Sequence, residues 1–157
     1  MKGVIEMKIF LSTPMSGRTD EQIRNELSGM IATFLLKNSF PKETEFIFVD
    51  NFNVGPKNMA EMERQAKDKV TPPLVYLGEA IKKMADCDAV VFAEKYYESK
   101  GCTIEEQVAI LYGITMYFID TNNEGEKVVC HLGTDGKSII GPDGLCYGEL
   151  TDDILYV

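Results

Sequence analysis

The stretch Asp88–Glu94, DAVVFAE, constrains the fold more than any other part of the chain. Five consecutive apolar residues stand between two acids, a run too short for an ordinary helix and with no polar side to offer water. A strand of this kind must be covered on both faces, and such strands belong mainly to parallel sheets packed between helices. Three similar runs flank it: MKIFLST (7–13), TEFIFVD (44–50) and ITMYFID (114–120). The segments between them read as helices. Asp20 to Lys37 carries Ile23, Leu27, Met30, Ile31, Phe34 and Leu35 in a helical stripe. Pro72 and Pro73 open a second helix through Met84, with Leu74, Leu77 and Ile81 on one side. A third is expected over 103–113, whereas 51–72 shows weak periodicity and suits a mobile loop with a short helix at most. This alternation predicts an α/β fold: a Rossmann-like or flavodoxin-like parallel sheet with helices on both faces.

From about residue 121 the texture changes. Asp135-Gly136 and Asp143-Gly144 are each flanked by short β-prone runs, which is the chemistry of β-hairpins. The 157 residues are therefore expected to form a single domain, with a core over about 7–120 and a C-terminal β-hairpin appendage over about 121–157.

A net charge of −9 argues against a general nucleic-acid partner, which needs a basic footprint. No apolar run approaches the roughly 18 residues of a membrane span, so no membrane partner is expected. Glu6 and Lys8 interrupt the apolar N-terminal stretch and spoil it as a signal peptide, so a cytoplasmic location is expected. Cys87, Cys102, Cys130 and Cys146 form no C-x-x-C pair, and His131 is the one histidine. These residues predict reduced, packing cysteines, a histidine in a strand and no metal site.

Two adjacent glutamates then need roles. Thr103-Ile-Glu-Glu106 fits the S/T-x-x-E capping box, with Thr103 as N-cap and Glu106 three positions later. At 100° per residue, Ile104, Val108 and Leu111 share one face with Tyr112 at its margin. Glu106 is then expected to face water, and Glu105 to sit at the border of the apolar stripe. A half-buried acid in the first helical turn after a parallel strand lies where α/β sheets bind ligands. The helix dipole there favours the ionised form, which suits a nucleophile.

The run DAVVFAEKYYESKGCTIEEQVAILYGI resembles the signature of the nucleoside 2-deoxyribosyltransferase-like proteins, at Asp88, Gly101, Glu105, Ala109 and Gly113. The opening KIFLSTPMSGRTD resembles that family's first strand and substrate loop. Together with PLVYLGEAIKKMADCDAVVFAEKY, these stretches resemble a phage-associated branch of the superfamily over roughly residues 7 to 120. The resemblance implies that Glu105 attacks the anomeric carbon of a nucleoside or nucleotide, with no cofactor, and that water or a second base resolves the glycosyl ester. It also implies that Ser99, where base-exchanging relatives carry aspartate, helps to bind a 5′-phosphate, with Gly101 in the same turn.

Ser12, Thr13, Ser16, Gly17 and Arg18 would complete a phosphate cradle ahead of a helix N-terminus. The alternative for that loop is a polar connection capped by Thr19 or Asp20. Where the family carries an aspartate that handles the base, this chain has Ala80; either the neighbouring Glu79 substitutes after a small shift in the helix, or the base-recognition chemistry differs. Asp88 is expected to be structural, and Tyr96 and Tyr97 are candidates for stacking on a base. The resemblance further implies a homo-oligomer, dimer or higher, in which a partner's polar residue completes the site; Asn122 and Asn123 are in about the right place. The reading is thus N-glycosidic cleavage of a nucleoside 5′-monophosphate or deoxynucleotide. Base exchange and a non-catalytic nucleotide-binding module are the alternatives.

Overall fold

The computed structural model describes residues 4–15, 17–52 and 72–150. Among these residues, seven strands and three helices alternate as β1 (Ile5–Ser12), α1 (Asp20–Lys37), β2 (Thr44–Val49), α2 (Pro72–Met84), β3 (Ala89–Phe92), α3 (Lys100–Tyr112) and β4 (Thr115–Thr121), followed by β5 (Lys127–Leu132), β6 (Ser138–Ile140) and β7 (Cys146–Glu149). A single 3-10 turn, Tyr96–Glu98, precedes α3. Most of the 51–72 segment lies outside the described residues, as do Ser16 and 151–157.

The strands form one mixed sheet in the order β2-β1-β3-β4-β5-β6-β7. The first four are parallel, with Ile9 opposite Ala89 between β1 and β3, and Ala89 opposite Thr115 between β3 and β4. Asp88 locks this register from outside the strand. Its carboxylate accepts from the Lys8 backbone N–H at 2.8 Å, and its own N–H donates to the Lys8 carbonyl at 2.7 Å. The structural role expected of Asp88 is the one seen.

Side chains of alternate parity along β1 and β3 enter separate clusters. Ile9, Leu11, Ala89 and Val91 pack with Ile23, Leu27, Met30 and Phe34 of α1. Phe10, Val90 and Phe92 pack with Ala80 and Met84 of α2 and with Cys102 and Ala109 of α3. All four residues of β3 are buried, as its sequence demands. In α2 the inward residues are Ala80 and Met84, while Leu74, expected on the apolar side, is exposed.

Beyond β4 the chain runs as an antiparallel meander. Instead of hanging from the core as an appendage, its three strands extend the same sheet. Asp135 organises the β5–β6 loop by accepting from the backbone of Lys137 and Ser138, and Asp143 accepts from Tyr147 Oη at 2.9 Å in the next loop. Gly136 and Gly144 follow these acids at φ 70° and 81°, where a side chain would be strained.

Candidate functional site

In a parallel sheet with neighbours β2-β1-β3, the connections leaving β1 and β3 diverge and open a crevice at the carboxyl ends of the strands. A cleft of about 1290 Å³ lies there. Its walls come from the loop after β1, the segment after β2, α2, and the start of α3.

Glu105 lies at its floor. It is 6% exposed and sits in the second turn of α3. Ser12 Oγ, at the end of β1, donates to Glu105 Oε1 at 3.1 Å. The other oxygen, Oε2, is buried with no hydrogen-bond partner among the described residues. Burial pushes the carboxyl up to about 8, and the Ser12 hydrogen bond opposes the rise. The expectation of an acid held ionised by the helix dipole is therefore corrected. α3 begins at Lys100, so Glu105 lies beyond the first turn, where the dipole is strongest, and desolvation dominates.

The cap also moves. Ser99 is the N-cap of α3, its Oγ accepting from the Cys102 N–H at 3.3 Å. Thr103 lies inside the helix and donates to the Ser99 carbonyl at 2.7 Å, so it caps nothing. The buried side of α3 carries Cys102, Glu106 and Ala109 instead of the expected apolar residues. Glu106, expected in water, is 0% exposed, receives a short hydrogen bond from Tyr96 Oη and accepts from Gln107 Nε2 at 3.3 Å. Of the expected apolar face, Leu111 and Tyr112 are 61% and 80% exposed, while Ile104 and Val108 are half-buried and Val108 packs against the core.

Other expected site residues divide. Thr13, Arg18, Ser99 and Gly101 line the cleft with Glu105. Ser12 is buried and is not part of the lining; it meets the cleft through its hydrogen bond to Glu105. Gly17 is not part of the lining, and Ser16 lies outside the described residues. Glu79 is also absent from the lining and instead faces Lys82 at 3.5 Å, while Ala80, one helical step round, borders the cleft. Tyr96 cannot stack on a ligand, because its ring packs 4.9 Å from that of Phe92 and its hydroxyl serves Glu106. Asn122 is committed to the β4–β5 turn, accepting from Glu124 and Glu126 N–H groups.

The first loop does two things. Thr19 caps α1 in a reciprocal box with Gln22, while Thr13 and Arg18 face the cleft. Neither is idle there, since both hydrogen-bond to Glu26 of α1.

Sequence reasoning missed several lining residues, among them Glu94, Asn51, Cys102 and Glu26. Glu94 ends the DAVVFAE run at the carboxyl end of β3, a position that could have identified it. Burial raises its pKa, but Lys127 and the Thr121 hydroxyl outweigh that and hold it below the usual carboxylate range. Asn51 follows β2; its Nδ2 donates to the Tyr76 carbonyl at 2.7 Å, and its buried Oδ1 has no partner among the described residues. Cys102 was read only as packing, yet it also borders the cleft; burial and then Glu105 push its thiol up to about 12, which keeps it protonated. Glu26 carried no signal, being one acid among several in an amphipathic helix.

Among the described residues, no group of three or more His, Cys, Asp and Glu side chains is placed to hold a metal ion. All four cysteines are free, with Cys102 and Cys130 buried and Cys146 exposed. No helix among the described residues is long and apolar enough to cross a membrane. Compared with known protein families, curated proteins and solved structures, the chain matches none.

Proposed function

We propose that the protein cleaves the N-glycosidic bond of a nucleoside 5′-monophosphate or deoxynucleotide, with Glu105 as nucleophile. One observation carries this reading: a buried carboxyl lining the cleft, with one oxygen held by Ser12 and the other without a partner among the described residues. A buried, half-satisfied carboxyl is costly to folding and has no structural return here. In the proposed step Oε2 of the ionised form attacks the anomeric carbon, and the C–N bonding pair leaves with the base, which takes up a proton. Water then hydrolyses the glycosyl ester, releasing the sugar and restoring the carboxylate. The chemistry asks for no cofactor.

The strand order β2-β1-β3-β4 supports a flavodoxin-like, and so broadly Rossmann-like, assignment of the parallel part, with the cleft at its switch point. The phosphate role of Ser99 is supported by its place in the cleft lining, beside Gly101 and Lys100 at the start of α3. A cytoplasmic homo-oligomer belongs to the same proposal. It is supported by the four free cysteines and by the exposed Leu111 and Tyr112 on α3.

The test is to incubate the full chain with nucleosides and 5′-mononucleotides, with and without an acceptor base, and to follow free base by chromatography. Base release is expected from the wild type and the exposed control Glu124→Gln, and to fall about a thousandfold or more in Glu105→Gln. Because the ionised form attacks and burial pushes the group up to about 8, release should climb as pH rises through that value. Turnover only with an acceptor base would assign base exchange. Binding without turnover under every condition would remove both enzymatic readings.

A further inference from the structure

The cradle formed by the first loop is already occupied by a side chain of the protein itself. Thr13 Oγ1 donates a short hydrogen bond to Glu26 Oε1, and Arg18 Nη1 reaches that same oxygen at 2.7 Å. Arg18 Nη1 also donates to the Pro14 carbonyl at 2.7 Å, which fixes the guanidinium against the loop. Thr13, Arg18 and Glu26 all line the cleft. A hydroxyl and a guanidinium converging on one carboxylate oxygen is the way proteins grip the oxyanion of a ligand.

Glu26 is not required by its own helix. The N-terminus of α1 is closed by Thr19 and Gln22, and its buried side is made by Ile23, Leu27, Met30 and Phe34. The Arg18–Glu26 pair keeps about a quarter of each side chain exposed, at 26% and 27%. Water can therefore replace much of what the pair loses on opening. A phosphate monoester would bring more charge and three acceptor oxygens to the same donors, but it would be repelled by Glu26 left in place.

We propose that Glu26 is the specificity-determining residue of the cleft: its carboxylate occupies the Thr13–Arg18 clamp, and a phosphate ester enters only by turning it out. This deepens the N-glycosidic reading and rests on it for the sugar-phosphate identity of the ligand. The clamp itself requires no cleavage. Wild-type protein accordingly discriminates less between phosphorylated and unphosphorylated sugars than its loop composition suggests, and Glu26 sets that ratio.

Calorimetric binding of ribose 5-phosphate and ribose to the full chain tests this, since neither molecule holds a glycosidic bond to a base. Glu26→Gln retains an amide oxygen for Thr13 and Arg18 and is expected to fold as the wild type does. It should raise the preference for ribose 5-phosphate over ribose by about tenfold, through loss of the like charge. Glu26→Ala should raise it as well, and Arg18→Gln added to Glu26→Gln should cancel the gain. An unchanged or lowered preference in both Glu26 variants overturns the proposal and makes Glu26 a loop staple. Failure of the base-release assay with this preference shift intact would overturn the glycosidic reading alone.

Discussion

Helices α1 and α3 lie among opposite-parity residues of the same sheet and obey opposite rules. α1 buries Ile23, Leu27, Met30 and Phe34 and begins with a reciprocal capping box, so its local signals and its tertiary placement agree. α3 buries Thr103, Glu105, Glu106 and Gln107 beside Cys102 and Ala109, and leaves Leu111 and Tyr112 in water. A helix with its polar side inward loses desolvation energy that α1 does not. Glu106 recovers part of that through Tyr96 and Gln107, whereas Glu105, among the described residues, has a single bond from Ser12. The contrast separates an element shaped for stability from one that tolerates a buried, poorly satisfied carboxyl at the cleft.

The largest effect expected from breaking this contrast falls on α1. Phe34 is fully buried and contacts the rings of Phe46, Phe48 and Tyr117. Phe34→Ala should lower unfolding stability by about 3–5 kcal/mol in urea titrations. The corresponding change in α3 should run the other way. A carboxyl raised by burial binds its proton more tightly folded than unfolded, so the folded state loses stability as pH rises from about 4 to about 8. Glu105→Gln should abolish that portion of the pH dependence and be as stable as the wild type, or more so, above pH 8. Denaturant midpoints measured across that range check both statements.

A smaller effect is expected at the satisfied member of the pair. Tyr96→Phe removes the hydroxyl donor to Glu106 and should cost about 1–3 kcal/mol. The smallest concerns the caps. Thr19→Ala in α1 and Ser99→Ala in α3 should each cost about 0.5–2 kcal/mol. If Thr103→Ala instead proved the costlier change in α3, the placement of the helix start at Lys100 would be wrong.

Legibility followed how local each signal was. Asp20–Lys37 could be delimited from its periodicity and cap, and DAVVFAE from its unbroken apolar run, because both patterns are written in neighbouring residues. The Asp-Gly pairs marked the meander, but not that its strands would extend the main sheet, since pairing depends on which edge is open. The start of α3 was misplaced because two serviceable N-caps, Ser99 and Thr103, stand four residues apart. Propensity does not choose between them; packing of Cys102 and Ala109 against Phe10 and Phe92 does. Separately, the helix packs with Glu106, expected at the surface, in the core, where Tyr96 is its partner instead of a platform for a base.

The candidate site divides along the same line. By itself, the sequence determined that four apolar runs would build a sheet, that a polar loop would follow the first strand, and that Glu105 would stand near the carboxyl end of the third. These follow from composition and period. Only the tertiary structure decided that Ser12 meets Glu105 across 93 positions of chain, and that Glu26 bonds Thr13 and Arg18 of the first loop. Contacts of this kind depend on how separate elements cross at the β1–β3 crevice, a relation that no local pattern encodes.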